Sequence, residues 1–319
     1  MTRVVMLDPL RPERVERIRP FLPDGWEIGV AASRAPEDQL AALQGADFAV
    51  TGDVPVSALM MAVPGLKAVH KWGVGYDNID CVAAKANGVR VMRTTGSNAI
   101  AVAETTLGLI LSVSRNIARG HAGVLNGEWL KGTLGQTSFR LTGKTVGIIG
   151  LGYIGKALAK LLSGFDSPIL YTKRTPLSAE EEAALNARFV PLEELLANSD
   201  VVTLNCELND QTRGIINKHT LALMKPTAVL VNASRGGVVI EEDLAAALRE
   251  GRLLGAAADV FAMEPIARDN PLLALPNMIM TPHIAAVSTD GFAPSVTRMM
   301  TNFKSVADGR EPPEMDVVA

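Results

Sequence analysis

The chain has 319 residues, and its 31 Lys plus Arg against 34 Asp plus Glu give a net charge of −3, which provides no general attraction to nucleic acid or to an anionic membrane. Hydrophobic residues make up 48% and charged residues 20%, a composition typical of folded globular proteins, and the length predicts two domains. Two cysteines are too few for a disulfide framework, and we find no secretory signal or long apolar run, so a reducing cytoplasm is expected.

Short apolar runs alternate with helical stretches from the first residues onward, which predicts parallel sheets covered by helices. The first group of predicted strands comprises residues 4–7, 26–30, 48–51, 66–70 and 89–92. A long helix is predicted at residues 100–118, and its apolar side chains fill more than one face. Such a helix is typically buried between domains or subunits.

A polar, glycine-rich segment at residues 126–143 precedes the second group of predicted strands, at 145–149, 168–171, 201–205, 228–232, 255–259 and 278–281. A helix predicted at 295–307 follows, and we expect it to pack back on the first domain. The sequence therefore predicts an α/β protein with two doubly wound, Rossmann-like domains and a cleft. We place the first domain at residues 1–97 plus 287–319 and the second at 98–286.

A glycine fingerprint, Gly150-Leu151-Gly152-Tyr153-Ile154-Gly155, follows the predicted strand at 145–149 and opens a predicted helix. In this setting glycines permit a tight turn and close approach of a pyrophosphate, which the N–H groups at the helix N-terminus bind. The alternative, a glycine-rich turn that binds nothing, is disfavoured by this placement. The fingerprint predicts a dinucleotide site that includes Gly150, Gly152, Tyr153, Ile154 and Gly155.

The next predicted strand ends at Thr172-Lys173-Arg174, where dinucleotide folds that bind NAD offer an acidic residue to the ribose hydroxyls. A hydroxyl and two cations suit a 2′-phosphate, which a carboxylate would repel. The sequence therefore favours NADP(H) over NAD(H). In the alternative interpretation, Lys173 and Arg174 are only solvated cations at a strand end.

Three later segments each place an ionisable residue just after a predicted strand. They are Asn232-Ala233-Ser234-Arg235-Gly236-Gly237, Asp259-Val260-Phe261-Ala262-Met263-Glu264-Pro265 and Thr281-Pro282-His283-Ile284. Together with the fingerprint, Gly73-Val74-Gly75-Tyr76-Asp77-Asn78-Ile79-Asp80 and Ala101-Val102-Ala103-Glu104, they resemble the D-isomer-specific 2-hydroxyacid dehydrogenase family in order and spacing, over about residues 66–284.

The resemblance implies that His283 is the general acid/base, Glu264 its carboxylate partner and Arg235 the anchor of the substrate. These residue types suit hydride transfer to a carbonyl carbon, because the negative charge that develops on oxygen needs a proton donor and a fixed cation. A carboxylate on the second imidazole nitrogen fixes the tautomer, and a guanidinium matches a carboxylate with two hydrogen bonds.

The resemblance also implies a set of binding residues, a homodimer formed through residues 100–129 and a flavodoxin-like first domain. The backbone N–H groups of Val74 and Gly75 would hold the substrate carboxylate, and Cys206, Ala233 and Asp259 would contact the cofactor. Lys71 lies where phosphoglycerate-specific relatives carry a basic residue for the substrate phosphate, although an exposed surface lysine is an equally good interpretation. No metal is expected.

The expected substrate class is glyoxylate, hydroxypyruvate or a related small 2-keto acid, with no nucleic-acid or membrane partner. Two alternatives stay open. One is a phosphoglycerate dehydrogenase-like enzyme, which Lys71 would favour. The other is an NAD(H)-sensing regulatory protein of the same family.

Overall fold

The computed structural model describes residues 1–319 and divides into two compact units, one of residues 1–98 with 288–319 and one of residues 99–287. The strands are β1 Thr2–Met6, β2 Trp26–Val30, β3 Phe48–Thr51, β4 Ala68–Lys71, β5 Arg90–Arg93, β6 Val146–Ile149, β7 Ile169–Thr172, β8 Ala187–Phe189, β9 Val201–Leu204, β10 Val229–Asn232, β11 Gly255–Ala258 and β12 Met278–Met280. The helices are α1 Pro12–Ile18, α2 Pro36–Leu43, α3 Ala58–Met61, α4 Cys81–Ala86, α5 Ala99–Ser114, α6 Ile117–Leu125, α7 Lys131–Thr137, α8 Tyr153–Leu162, α9 Ala179–Leu185, α10 Leu192–Asn198, α11 Lys218–Ala222, α12 Glu241–Arg249 and α13 Phe292–Ala307.

The first unit contains a parallel five-stranded sheet in the order β2-β1-β3-β4-β5, which is the strand order of the flavodoxin-like fold that the family resemblance implies for this domain. Its central strands β3 and β4 are buried along their whole length because helices cover both faces of the sheet. Helix α13 packs on one face, where Phe303 stacks on Phe48 with ring centroids 4.7 Å apart. Helix α13 therefore belongs to the first unit.

The second unit contains a parallel seven-stranded sheet in the order β12-β11-β10-β9-β6-β7-β8. The chain winds in one direction from β6 to β8 and in the other from β9 to β12, so the order reverses between β6 and β9. Ligands of such sheets bind beyond the carboxyl ends of the strands at this reversal. The two parallel sheets with their helices confirm the predicted α/β, Rossmann-like class.

Three local features differ from the prediction. The predicted helix at 100–118 breaks because Asn116 adopts a left-handed conformation with φ of 54°, and α6 begins after it. The segment at 126–143 contains the short helix α7. Strand β8 was missed because it has only three residues, lies at the sheet edge and is partly exposed, so it carries no apolar run.

No single helix is long and apolar enough to span a membrane. Helices α5 and α6 reach that length and composition only together, and the pair is bent by 64° at the break.

Candidate active site

The site centres on an imidazole and a carboxylate that follow neighbouring strands. Nδ1 of His283, after β12, lies 2.6 Å from Oε2 of Glu264, after β11. The other carboxylate oxygen of Glu264 accepts the N–H of Phe261 at 2.9 Å. Partial burial raises the pKa of Glu264, but hydrogen bonds from His283 and Phe261 outweigh it and hold that pKa below its usual value. An ionised carboxylate only accepts, so the pair assigns a proton to Nδ1 of His283.

The backbone of His283 is held in an uncommon conformation. Its φ is 53°, in the left-handed region, and its N–H donates to the carbonyl oxygen of Asp259 at 2.7 Å. Such conformations persist only where surrounding contacts determine them, and they concentrate at functional sites. The conformation of His283 therefore supports a functional role for its side chain.

Asp259 supplies most of the contacts that determine this loop. Its carboxylate is fully buried and accepts the Thr281 hydroxyl at 2.6 Å and the N–H groups of Ile284 at 2.9 Å and Ala285 at 2.8 Å. Both carboxylate oxygens are therefore engaged by the segment on either side of His283. We infer that Asp259 positions the histidine, while its predicted contact to the cofactor stays a prediction.

Arg235 follows β10, the strand between β9 and β11, and its loop is closely packed. Asn232 donates to the carbonyl oxygen of Arg235 at 3.0 Å, and the guanidinium donates to the carbonyl oxygen of Ser234 at 2.9 Å. A Cβ on Gly236 would overlap the backbone of Phe261. The loops of Arg235 and Glu264 are thus in backbone contact, and the charge of Arg235 helps to lower the pKa of Glu264.

The second unit therefore brings together the three residues predicted to carry the chemistry. Their strands are adjacent, with Asn232 paired to Ala258 and Ala258 paired to Met280, so the following loops share one sheet edge. This edge offers a histidine with one fixed nitrogen, an ionised carboxylate and a guanidinium. Such a set can protonate an oxygen and bind a small anion.

The glycine fingerprint lies at the point where the strand order reverses. Gly150 has φ of 95°, and a Cβ there would lie 2.7 Å from the backbone of Asn205 and Cys206. A Cβ on Gly155 would lie 2.6 Å from the carbonyl oxygen of Gly150, whereas one on Gly152 would meet nothing within 4 Å. Gly150 and Gly155 are therefore required by the protein's own packing, and Gly152 leaves space for a ligand.

Polar groups lie next to the fingerprint at the N-terminus of α8 and in the loop after β9. No side chain caps α8 at Gly152, so its first N–H groups suit a phosphate. Nδ2 of Asn205 is buried and has no hydrogen-bond partner. Asn205 ends a predicted strand and belongs to no motif, so the sequence alone does not mark it as functional. An unpaired buried donor on a residue next to the fingerprint fits a dinucleotide.

Comparison with known proteins identifies the family. Residues 107–285 match the model described as D-isomer specific 2-hydroxyacid dehydrogenase, NAD binding domain. The chain belongs to the D-isomer-specific 2-hydroxyacid dehydrogenase family. This dehydrogenase is thus a 2-hydroxyacid oxidoreductase with a nicotinamide cofactor, as the sequence analysis expected.

The relatives of this dehydrogenase include a glyoxylate reductase from Thermofilum pendens, 39% identical over 259 residues that cover 81% of this chain and 76% of the relative. A D-3-phosphoglycerate dehydrogenase from Methanocaldococcus jannaschii is 35% identical over 97% of this chain and 58% of its own length. Among solved structures, the TT0316 protein from Thermus thermophilus has a TM-score of 0.87 and 33% identity, with all of both chains covered.

The strand end predicted to select the cofactor is ordered by an internal network. Tyr171 is fully buried, and its hydroxyl donates to Glu182 at 2.7 Å and accepts the N–H of Leu177 at 2.8 Å. The hydrogen bond between Leu177 and Tyr171 joins the two ends of a short loop, and Thr172, Lys173 and Arg174 lie within that loop. Lys173 is half-buried and Arg174 exposed, and Lys173 helps to lower the pKa of Glu181, which is mainly lowered by its bond to Lys156.

The remaining predicted cofactor residues line the same edge. Ala233 packs with Ile154 of the fingerprint in a small apolar cluster, and Tyr153 is exposed. The backbone of Cys206 lies beside Gly150, and burial raises the pKa of the Cys206 thiol to about 11, so the thiol is protonated at neutral pH.

The predicted substrate residues Val74, Gly75 and Lys71 lie in the first unit, after β4 or at its end. Lys71 is only 7% exposed, so the interpretation as a surface lysine is wrong. Its ammonium donates to the carbonyl oxygen of Gly52 and to Asn78 Oδ1 at 3.0 Å. These contacts tie the loop of Val74 to the loop after β3. The burial of Lys71 could not be predicted from the sequence, because its partners Gly52 and Asn78 lie in different loops of the chain.

Proposed function

We propose that this dehydrogenase reduces a small 2-keto acid to the D-2-hydroxy acid with His283, Glu264 and Arg235 at the reacting carbon. The observation that carries the proposal is the 2.6 Å contact between His283 Nδ1 and Glu264 Oε2, beside the loop of Arg235. With Nδ1 committed to Glu264, Nε2 is the nitrogen that gives its proton to the carbonyl oxygen.

When bound, the reduced nicotinamide supplies a hydride to the carbonyl carbon. His283 releases one proton to the oxygen, so the carbonyl becomes a hydroxyl and the imidazolium becomes neutral. Glu264 stabilises the imidazolium before this step, and Arg235 stabilises the charge on oxygen while the proton is transferred. The backbone N–H groups of Val74 and Gly75 are proposed to hold the carboxylate.

The proposed substrates are glyoxylate, hydroxypyruvate and acids of similar size. The glyoxylate reductase from Thermofilum pendens, at 39% identity, supports this class. The phosphoglycerate dehydrogenase alternative needs a cation for a phosphate, and the contacts of Lys71 with Gly52 and Asn78 favour a structural use of that ammonium. We therefore favour acids without a phosphate.

NADP(H) is the proposed cofactor. Gly150, Gly152 and Gly155, with the N-terminus of α8, would hold the pyrophosphate, and Thr172, Lys173 and Arg174 would contact the 2′-phosphate. The support is the absence of a carboxylate at the end of β7 and the closed loop that presents the two cations. Charge-assisted hydrogen bonds of this kind are among the strongest in proteins.

A homodimer through the region of α5 and α6 is also proposed. Large apolar side chains are exposed there, with Trp129 at 83%, Leu125 at 73% and Val124 at 60%. Exposed apolar groups clustered in this way are typical of protein interfaces. Sedimentation of the purified protein measures the oligomeric state directly.

The function is tested by following NADPH and NADH oxidation with a panel of 2-keto acids, for the wild type and for Arg235→Lys and His283→Ala. We expect turnover of a small keto acid, a raised KM in Arg235→Lys, and a kcat lower by roughly two to four decades in His283→Ala. Unchanged kcat in a folded His283→Ala protein would exclude the assignment. A wild type that binds the cofactor and turns over no keto acid would support the regulatory alternative.

A further inference from the structure

The loop that carries Val74 and Gly75 follows β4, and an arginine at the end of the neighbouring strand β5 binds this loop. Arg93 is the last residue of β5, where it pairs in register with Lys71 of β4. Its Nη1 donates to the carbonyl oxygen of Val74 at 3.0 Å. Its guanidinium also lies 5.1 Å from the ring centroid of Tyr76, two residues further along the loop. Arg93 therefore contacts this loop at two points.

The direction of the guanidinium is itself fixed. Nε of Arg93 donates to the hydroxyl of Thr95 at 3.0 Å, and that hydroxyl donates to the carbonyl oxygen of Met315 at 2.5 Å. The N–H of Thr95 donates to Asp316, which is fully buried and bound by Arg298 through two hydrogen bonds of 2.6 and 2.7 Å. The planar fork of Arg93 thus has few orientations in which all of these bonds are made.

The contact to Val74 has a consequence for the next residue. The carbonyl of Val74 and the N–H of Gly75 belong to one planar peptide group, and in a trans peptide they point in opposite directions. Binding of the carbonyl oxygen by Arg93 therefore determines where the N–H of Gly75 points. A cation on the carbonyl also polarises the peptide and makes that N–H a stronger donor.

We propose that Arg93 is a positioning residue for substrate binding, which aims the Gly75 N–H at the substrate carboxylate and so sets the affinity for 2-keto acids. The inference rests on the proposed function, in which the Val74 and Gly75 N–H groups hold that carboxylate. Arg93 acts through the peptide and takes no part in proton or hydride transfer. Its loss should therefore raise the KM for the keto acid and leave kcat nearly unchanged.

The test compares four variants with glyoxylate as substrate and oxalate as an unreactive dicarboxylate inhibitor. Arg93→Met removes the contact to Val74 and the charge. Thr95→Val keeps the charge of Arg93 and removes the hydroxyl that orients it. Arg90→Gln is the matched control, because Arg90 lies on the same strand, carries the same charge and pairs with the exposed Glu311 instead of this loop. Arg235→Lys reports on the proposed function itself.

In Arg93→Met we expect the KM for glyoxylate and the Ki for oxalate to rise about tenfold, which corresponds to one charge-assisted hydrogen bond. The kcat should stay within about twofold, as should the KM for NADPH, since only one substrate contact is weakened. Thr95→Val should raise the glyoxylate KM in the same direction, and Arg90→Gln should not. Deuterium exchange should increase in residues 72–80 of Arg93→Met and Thr95→Val.

An equal rise in KM in Arg90→Gln would overturn the inference, because the effect would then come from charge alone. An unchanged KM in both Arg93→Met and Thr95→Val would also overturn it, and if Arg93→Met does not fold, Thr95→Val decides. If the wild type turns over glyoxylate and Arg235→Lys is impaired while Arg93→Met and Thr95→Val are normal, only this inference fails. If no 2-keto acid is turned over, the proposed function fails.

Discussion

The carboxylate of Asp259 accepts the backbone N–H of Ala285 at 2.8 Å across 26 residues of chain, and with its other oxygen it accepts the N–H of Ile284. These bonds close the loop in which His283 holds its left-handed conformation. Because Asp259 is fully buried, water cannot replace it as an acceptor.

Asp259→Asn should therefore destabilise the protein and reduce turnover together. The amide nitrogen cannot accept, so at least one donor that now binds the buried Asp259 side chain loses its partner, at a cost of about 1–3 kcal/mol. We expect kcat to fall at least about tenfold, since a positioned acid/base contributes roughly 10²–10⁴. Urea unfolding and steady-state kinetics measure the two effects. Thr281→Val removes a single bond to Asp259 and serves as the milder control; equal stability of wild type and Asp259→Asn would contradict the assignment.

Glu264→Gln should shift the pH profile of keto-acid reduction towards acid. The ionised carboxylate favours the protonated imidazole, so its removal lowers the apparent pKa that governs reduction. Reduction requires the protonated form, which is present below that pKa, and activity should therefore be lost first at the alkaline end. The measurement is kcat/KM against pH for both proteins, and superimposable profiles would remove Glu264 from the mechanism.

The cofactor preference should reverse when Thr172→Asp is combined with Arg174→Ala. The aspartate offers an acceptor to the ribose hydroxyls and repels a 2′-phosphate, while the second change removes a phosphate partner. We expect the wild-type ratio of kcat/KM for NADPH over NADH to exceed one and to decrease as salt rises, because the cation of Arg174 is exposed. A wild-type ratio below one at fixed ionic strength would show that Lys173 and Arg174 are only solvated cations.

Stability should decrease as the pH falls from about 7 to 5 because of His70. This histidine is fully buried between Lys71 and Asn302, with Asp316 and Arg298 nearby, and burial lowers its pKa to about 4. The unfolded chain binds a proton near pH 6.5 and the folded chain does not, so stability is complete above that pH and is lost as the pH falls towards 4.

For one such group the loss between pH 7 and 5 is about 2 kcal/mol. The free energy of unfolding in urea at both pH values checks this in the wild type and in His70→Gln, which cannot titrate. The slope with pH should be flatter in the variant. Parallel slopes would show that other groups dominate the acid loss of stability.

The fold could be predicted from the sequence because the central strands are buried on both faces and are therefore continuous apolar runs, as in β9 and β10. The edge strand β8 and the break at Asn116 could not, since one lacks such a run and the other depends on a single backbone angle. The pattern of apolar residues along the chain reveals neither a short, partly exposed edge strand nor a single backbone angle.

In the candidate site, the residues with chemistry of their own were predictable from type and order, namely Arg235, Glu264 and His283. The contacts by which other residues hold the site's loops in place were not. Asp259 binds a segment more than 20 residues away, and Arg93 binds Val74 from a neighbouring strand, so their roles depend on tertiary contacts. The burial of Lys71 could not be predicted either, because it depends on contacts with the neighbouring loops.

The backbone contact between Gly236 and Phe261 makes the loops of Arg235 and Glu264 a single block. Any side chain at position 236 would push the two loops apart, and a shift of one loop would be transmitted to the other. Laboratory evolution towards new acids is therefore expected to recover few active clones from libraries that vary residues 232–237 or 259–264. Diversity introduced into surface loops away from this block should be tolerated far better, and selection outcomes can be compared directly between two such libraries.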